Sequence, residues 1–206
     1  MTADTLIYVV DDDADVRDSI RILLESAGYA VKAFGLAREF LAEKNPTGGC
    51  LVADIRMPEM DGLELQEELV RRKLGLPVVI ITGHGDVPLA VRAMKVGAVD
   101  FIEKPFDDEN LLGSIRRALE IGRQTRTKAA EAASAERLLA LLTPRERTVL
   151  DQLVVGRSNK VAADELGISP RTVEIHRAHI MDKMNARSLS DLVRISLAVQ
   201  SQSGHA

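Results

Sequence analysis

Within residues 1–121 a short run of aliphatic and β-branched residues is followed, five times over, by a longer amphipathic stretch. The short runs are Leu6–Val10, Ala30–Phe34, Cys50–Asp54, Pro77–Ile81 and Asp100–Glu103. The stretches that follow them are Asp15–Ala27, Leu36–Glu43, Asp61–Lys73, Val87–Val96 and Asp107–Ile121. In the first stretch Val16, Ile20, Leu23 and Leu24 recur at helical spacing, and Gly28 supplies the flexible residue after a helix end. In the third, Leu63, Leu65, Leu69 and Val70 fall mostly to one side. Pro77–Ile81 is wholly apolar, as a strand covered on both faces must be. Strict alternation of this kind predicts an α/β fold: a doubly wound, five-stranded parallel sheet with helices on both faces.

The alternation stops after residue 121. Residues 122–142 include R-T-K-A-A-E-A-A-S-A-E, with no glycine, no proline and no large apolar side chain. Alanine favours helix, but the run offers no stripe to bury, so a solvated linker over 122–139, partly helical and continuous with the helix before it, is expected. No heptad seam persists to make a coiled coil. Four helices follow with no strand among them: Pro144–Val155, Asn159–Leu166, Pro170–Met184 and Leu189–Val199. The chain therefore reads as domains over 1–121 and 140–206, the second all-α.

Charge divides the same way. Residues 1–121 carry 14 Lys/Arg and 22 Asp/Glu, whereas 122–206 carry 13 and 9. A basic helical domain beside an acidic one hints at nucleic acid. The single cysteine, Cys50, excludes an internal disulfide and reads as a small buried hydrophobe. No apolar run approaches the roughly 18 residues of a membrane span, and no secretion signal is seen, so a cytoplasmic protein with no membrane partner is expected.

In an open α/β sheet, ligands bind at the carboxyl ends of the strands. The chain places Asp11-Asp12-Asp13, Asp54, Thr82-Gly83 and Lys104-Pro105 there. Acids gathered at one edge repel unless a cation joins them, and all-oxygen ligands favour a hard ion such as Mg2+. A lysine and a hydroxyl can hold an anion. Together these groups suit phosphoryl transfer, one carboxylate attacking phosphorus. Asp13 alone reads more simply as a cap for the helix that follows it.

The segments V-V-D-D-D, V-A-D-I-R-M-P-E-M-D-G, I-I-T-G-H-G-D and D-F-I-E-K-P-F resemble the receiver domain of bacterial response regulators, over about residues 4–121. The resemblance implies a flavodoxin-like fold in which Asp54 is the phosphoacceptor. It implies Mg2+ held by Asp11, Asp12, Asp54 and the main-chain carbonyl of Arg56, and phosphoryl oxygens held by Thr82 and Lys104. It also implies a cis Lys104–Pro105 bond, an aromatic switch at Phe101, and phosphate taken from a sensor histidine kinase and slowly lost. His84, near the site, reads as tuning the phosphate lifetime or as a neutral loop residue. Aspartyl-phosphate hydrolases place a second acid two residues after the nucleophile; Arg56 stands there, so the chain is not expected to be an enzyme in its own right.

In the tail, Leu166-Gly167-Ile168-Ser169-Pro170 makes a tight connection between two helices: Gly167 for a positive φ, Ser169 to cap, Pro170 for the first helical position. On a helical wheel Val173, Ile180 and Met184 fall together, with His176 and Arg177 beside them. Arg171, Glu174, Ile175, Ala178, His179 and Asp182 lie opposite, a set that can read base edges. Arg171 and Thr172 can meet phosphates at the helix start, and Asn159 and Lys160 are candidate backbone contacts. S-N-K and T-V-E-I-H make residues 140–200 resemble the LuxR/NarL-type effector, a four-helix helix-turn-helix domain. A basic residue is common where Glu174 stands, which weakens any guess at base preference. The resemblance implies promoter DNA as partner and dimerisation through the last helix at Leu192, Val193 and Ser196.

T-G-H-G-D and F-I-E-K-P-F joined to this effector resemble the FixJ branch, which activates nitrogen-fixation or microaerobic genes under an oxygen-sensing haem kinase. The implied cycle is phosphorylation of Asp54, rearrangement of Thr82, Lys104 and Phe101, and homodimerisation on the surface carrying Val91 and Lys95. Dimers then bind paired half-sites and recruit RNA polymerase. The rival readings are a regulator serving another stimulus, a hydrolase, and a constitutive DNA binder whose receiver is only a scaffold.

Overall fold

The computed structural model describes residues 5–44, 46, 48–83 and 87–203. It divides into two compact units, residues 1–126 and 127–206.

The first unit alternates as the sequence predicts: β1 (Leu6–Val10), α1 (Ala14–Ser26), β2 (Ala30–Phe34), α2 (Ala37–Leu41), β3 (Gly49–Asp54), α3 (Gly62–Arg71), β4 (Val78–Thr82), α4 (Val87–Val96), β5 (Asp100–Glu103) and α5 (Asp108–Ala140). All strand pairs are parallel, in the order β2-β1-β3-β4-β5. Successive strand residues face opposite ways, so each strand feeds two cores. Tyr8, Val10, Leu51, Ala53, Val78 and Ile80 pack toward α2, α3 and α4. Ile7, Val9, Cys50, Val52, Val79 and Ile81 pack toward α1 and α5. Every residue of β3 and β4 is buried. At roughly 1.5–3 kcal/mol for each large side chain taken from water, this two-sided burial fixes the register and hence what the strand tips carry.

The helices start where side chains can satisfy free N–H groups. Asp13 caps α1 by accepting from the amides of Asp15 and Val16. Asp61 and Glu64 form a reciprocal capping box on α3. Cys50 is fully buried, and burial pushes its thiol up to about 12.

Two expectations are corrected here. Val70, on the apolar side of the α3 pattern, is 61% exposed. It follows the buried Leu69 but lines an open groove with Lys73, Val96 and Gly97 beside the end of α4, which leaves its side chain to water. Secondly, residues 122–139 are helical and continuous with the last helix of the first unit, as expected, within the 33-residue α5, but they are not simply solvated. Ala132 and Ala135 are 3% exposed. Small side chains permit close approach, and Ala135 and Leu138 share a cavity of about 150 Å³ with Ile195 and Ala198.

The second unit holds the end of α5 from residue 127, then α6 (Pro144–Val154), α7 (Asn159–Leu166), α8 (Pro170–Lys183) and α9 (Leu189–Ser203). Thr143 and Glu146 form a capping box on α6, and Ser158 caps α7. Gly167 ends α7 at φ 63°, the left-handed conformation that costs glycine least. Ser169 caps α8, and Pro170 takes its first position. Val149, Leu150, Leu153, Val173, Ile180, Met184 and Leu192 make the core. Among the described residues no helix is long and apolar enough to cross a membrane.

Candidate functional site

The carboxyl edge of the sheet gathers Asp11, Asp54, Thr82 and Lys104. Asp11 directly follows β1, Asp54 ends β3, Thr82 ends β4 and Lys104 follows β5. Asp11 and Thr82 are fully buried and Asp54 nearly so. The Lys104 Nζ donates to Asp11 Oδ2 and to Asp54 Oδ1, at 2.7 Å each. Asp11 Oδ1 accepts from the Asp13 amide at 3.0 Å. Arg17 Nη1 donates to the Asp11 carbonyl at 2.6 Å, bracing the strand tip from α1. The Lys104 amide donates to the Thr82 carbonyl at 2.7 Å. The Lys104–Pro105 bond is cis.

Two carboxylates share one ammonium here, leaving the group net negative. Burial is the largest influence on Asp54 and raises its carboxyl above the ordinary range; Lys104 and the Arg56 amide oppose it, and Asp11 adds to it. Burial works against the Lys104 ammonium, but the two carboxylates outweigh it and hold its pKa up. A buried oxygen-only donor set with surplus negative charge fits a hard divalent cation. Asp12 stands apart: it is exposed and its carboxylate bonds nothing among the described residues. No three His, Cys, Asp or Glu side chains converge as a metal-holding group among the described residues. The fit therefore rests on two carboxylates with main-chain and water oxygens. His84 lies outside the described residues.

Phe101, half-buried on β5, is in register with Ile80 and packs against the core on the α4 side. On α4, Val87, Val91 and Met94 are exposed by 76%, 45% and 48%, and Lys95 is exposed beside them.

In the helical unit, α7 and α8 join through the tight turn described above. Val173, Ile180 and Met184 are fully buried, which turns the opposite face of α8 outward. Arg171, Glu174, Ile175, Ala178 and His179 are exposed, and Thr172 is half-buried at the helix start. Arg171 and Glu174 pair at 3.1 Å. Lys160 is exposed, whereas Asn159 is half-buried and lies 3.4 Å from Arg177 Nη1.

Residues 7–116 match the response regulator receiver domain, and residues 140–196 match the bacterial regulatory proteins of the luxR family. The transcriptional regulatory protein FixJ of Bradyrhizobium diazoefficiens is 48% identical over 198 residues, covering 96% of this chain and 97% of that protein.

This chain belongs to the FixJ-type response regulators.

Solved structures agree. The response regulator StyR is 45% identical with a TM-score of 0.80, over 94% of this regulator and 98% of that chain. Full-length FixJ from B. japonicum is 46% identical with a TM-score of 0.59, over 97% and 99%.

The regulator's α9 departs from the dimer face expected of it. Leu192 is fully buried in the domain's own core and Ser196 is 8% exposed, so neither offers a surface. Leu192 faces inward because α9 itself closes the core formed by α6, α7 and α8. Val193 is half-buried, and the exposed apolar residue on this helix is Leu197.

Three contributors escaped the sequence reading of the regulator. A Cβ on Gly62 would lie 2.2 Å from the Asp54 carbonyl oxygen, so only glycine lets α3 begin this close to the phosphoacceptor candidate. The G of the M-D-G motif was the available signal. Arg17 braces Asp11, as given above. Glu146, 4% exposed, accepts from Lys183 of α8 at 2.7 Å and lies 4.0 Å from His179 Nδ1. Its place three residues after Thr143 signalled the cap but not the tie to α8.

Proposed function

We propose that this regulator receives a phosphoryl group on Asp54 from a sensor histidine kinase and thereby acquires promoter binding as a dimer. The observation that carries this reading is the Lys104 ammonium held between Asp11 and Asp54 at the buried strand edge. An Asp54 oxygen attacks phosphorus of the donor's phosphohistidine. The P–N bond breaks, its electron pair leaves with the imidazole, and an acyl phosphate forms. Lys104 and the Thr82 hydroxyl bind the phosphoryl oxygens. Water later attacks the same phosphorus, releasing phosphate and restoring the carboxylate. Asp11, Asp54 and the Arg56 carbonyl would hold Mg2+, with Asp12 at the rim. When bound, the ion supplies positive charge against the phosphoryl oxygens. A groove of about 570 Å³, lined by Val16, Ile20, Leu23, Phe106 and Lys104, opens beside the site and suits the approach of an apolar partner helix.

A new dianion at the β3 tip draws Thr82 and Lys104 toward it, and Phe101 follows Thr82 inward. The dimer surface then lies on α4 around Val91 and Lys95. The exposed stripe of Val87, Val91 and Met94 supports it, since contiguous apolar surface marks an interface. On α9 the half-buried Val193 is the member of the expected set that retains surface. The dimer sets two α8 helices into successive major grooves. Glu174, Ile175, Ala178 and His179 read bases, while Asn159, Lys160, Arg171 and Thr172 meet phosphates. The receiver domain is assigned to residues 1–121 and the effector to 140–206. Likeness to the transcriptional regulatory protein FixJ favours nitrogen-fixation or microaerobic genes as targets, and the proposal takes an oxygen-sensing haem kinase as donor and RNA polymerase as the recruited partner.

The test is phosphorylation with acetyl phosphate and Mg2+, followed by mass spectrometry and footprinting on promoter DNA. The wild type gains one phosphoryl group on Asp54 and a stronger footprint, and Asp54→Asn gains neither. Equal footprints for the two proteins, with kinase present, would overturn the switch.

A further inference from the structure

The three acids that follow β1 present their carbonyl oxygens to a single residue of α1. Arg17 Nη1 donates to the Asp11 carbonyl at 2.6 Å and lies 3.4 Å from the Asp12 carbonyl. The Arg17 amide donates to the Asp13 carbonyl at 3.0 Å. The guanidinium is half-buried and flanked by Gly35 after β2, where an added Cβ would lie 3.7 Å from Nη1.

Two features set Arg17 apart from an ordinary helix-surface arginine. It makes no ion pair among the described residues, although Asp15 and Asp18 share its helix and three acids precede that helix. Arg21, one turn on, pairs with both Asp18 and Glu25 at 3.2 Å. The Arg17 charge is directed instead at main-chain oxygens. Secondly, the fold has other means of holding the elements on either side. Asp13 already caps α1, and β1 is paired through Val10 with β2 and β3. What the guanidinium adds is a fixed path for the loop between them. A hydrogen bond from a charged donor is roughly twice as strong as a neutral one, so that path is firmly held. Asp12 depends on it most, because its exposed carboxylate bonds nothing among the described residues.

We infer that Arg17 is a positioning residue for the cation of the phosphoryl site. It acts through the main chain of Asp11 and Asp12, keeping their carboxylates placed for a hard divalent ion. The inference rests on the cation site proposed above and adds what sets its affinity. The positive charge of Arg17 works in the opposite sense, since it repels a cation. The sign of the change on removing the side chain therefore separates holding from charge.

The experiment titrates Mg2+ into the unphosphorylated full chain and follows amide NMR shifts at Asp12 and Asp54. Arg17→Met should bind Mg2+ about ten-fold more weakly, as on losing a group that orients a metal ligand. Arg17→Lys keeps the charge without the fork and should be about three-fold weaker, readable even if Arg17→Met folds poorly. Arg21→Met removes a charge from the same helix without touching the loop, and should match the wild type. In acetyl phosphate labelling, Arg17→Met should raise the half-saturating Mg2+ concentration by the same factor and keep most of the rate at saturating Mg2+. A merely structural role would lower the melting temperature and leave that concentration unmoved. Unchanged or tighter Mg2+ binding by either Arg17 variant would overturn the inference. A wild type that took up no Mg2+ would overturn the cation site itself, and the inference with it.

Discussion

Glu146, three residues into the cap of α6, accepts a 2.7 Å bond from Lys183 near the end of α8. One carboxylate thus finishes a helix start and tethers the candidate recognition helix. The Lys183 ammonium is the largest influence, and with the Thr143 amide it holds the Glu146 carboxyl down at about 2. The folded-state value lies below the unfolded one, so the charged form stabilises the fold above the ordinary carboxyl value of 4.5, and that stabilisation is lost as pH falls toward about 2. Glu146→Gln keeps the cap but not the charge. Urea unfolding of the helical unit should show the variant weaker near neutrality, with the gap closing across that acid window. A gap that persisted at low pH would refute the ionic origin.

Lys104→Met should leave Asp11 and Asp54 as buried, unpaired carboxylates. Removing one partner from a buried ion pair costs roughly 3–5 kcal/mol. Mg2+ should recover part of that loss, because a ligand bound only by the folded state stabilises by about 1.4 kcal/mol at ten times its Kd. Thermal melts with and without Mg2+ report both. A variant as stable as wild type, or indifferent to Mg2+, would contradict the proposed cation site.

Gly62→Ala should be as damaging as a core change although it adds a single methyl. The added Cβ meets backbone, the Asp54 carbonyl, which cannot swing aside. A loss of roughly 1–3 kcal/mol is expected, together with slower acetyl phosphate labelling of Asp54, since the clash displaces that residue itself. Denaturation and labelling rates measured on the same sample check the coupling.

Leu192→Ala and Leu197→Ala separate a core role from a surface role on α9. Leu192 is fully buried and Leu197 is 50% exposed. The first should cost the helical unit about 2–5 kcal/mol, and the second within about 0.5 kcal/mol. If Leu192→Ala left stability intact and altered only association, the side chain would be a dimer contact after all.

Arg171→Ala tests whether α8 meets phosphates at its start. Loss of one phosphate contact should lower the slope of log K against log salt by about 0.9. The affinity loss should be similar on different promoter sequences. Loss confined to particular sequences would make Arg171 a base reader.

The strands and the groups at their tips were legible because doubly covered strands write themselves as apolar runs, and a polar or charged residue closing such a run sits at an edge. Asp11, Asp54, Thr82 and Lys104 all announce themselves this way. Gly62 did not, since a close approach between α3 and β3 depends on two distant segments and leaves no periodic trace. Leu192 was misplaced for a related reason: an apolar residue on an amphipathic helix looks the same whether its own domain or a second copy covers it. Val70 shows the converse, a stripe residue whose cover ends too soon. In residues 122–139 alanine concealed the outcome, being a strong helix former whose methyl group is too small to declare a buried face.

The hydrogen bond from the Lys104 amide to the Thr82 carbonyl makes these two residues a mechanical pair. Their side chains are the proposed anion-binding groups of neighbouring strands, and their main chains are stitched together at the very place where those strands end. In the proposed switch, displacing either one would drag the other, so a signal arriving at one tip would be shared across two strands before it reaches any helix.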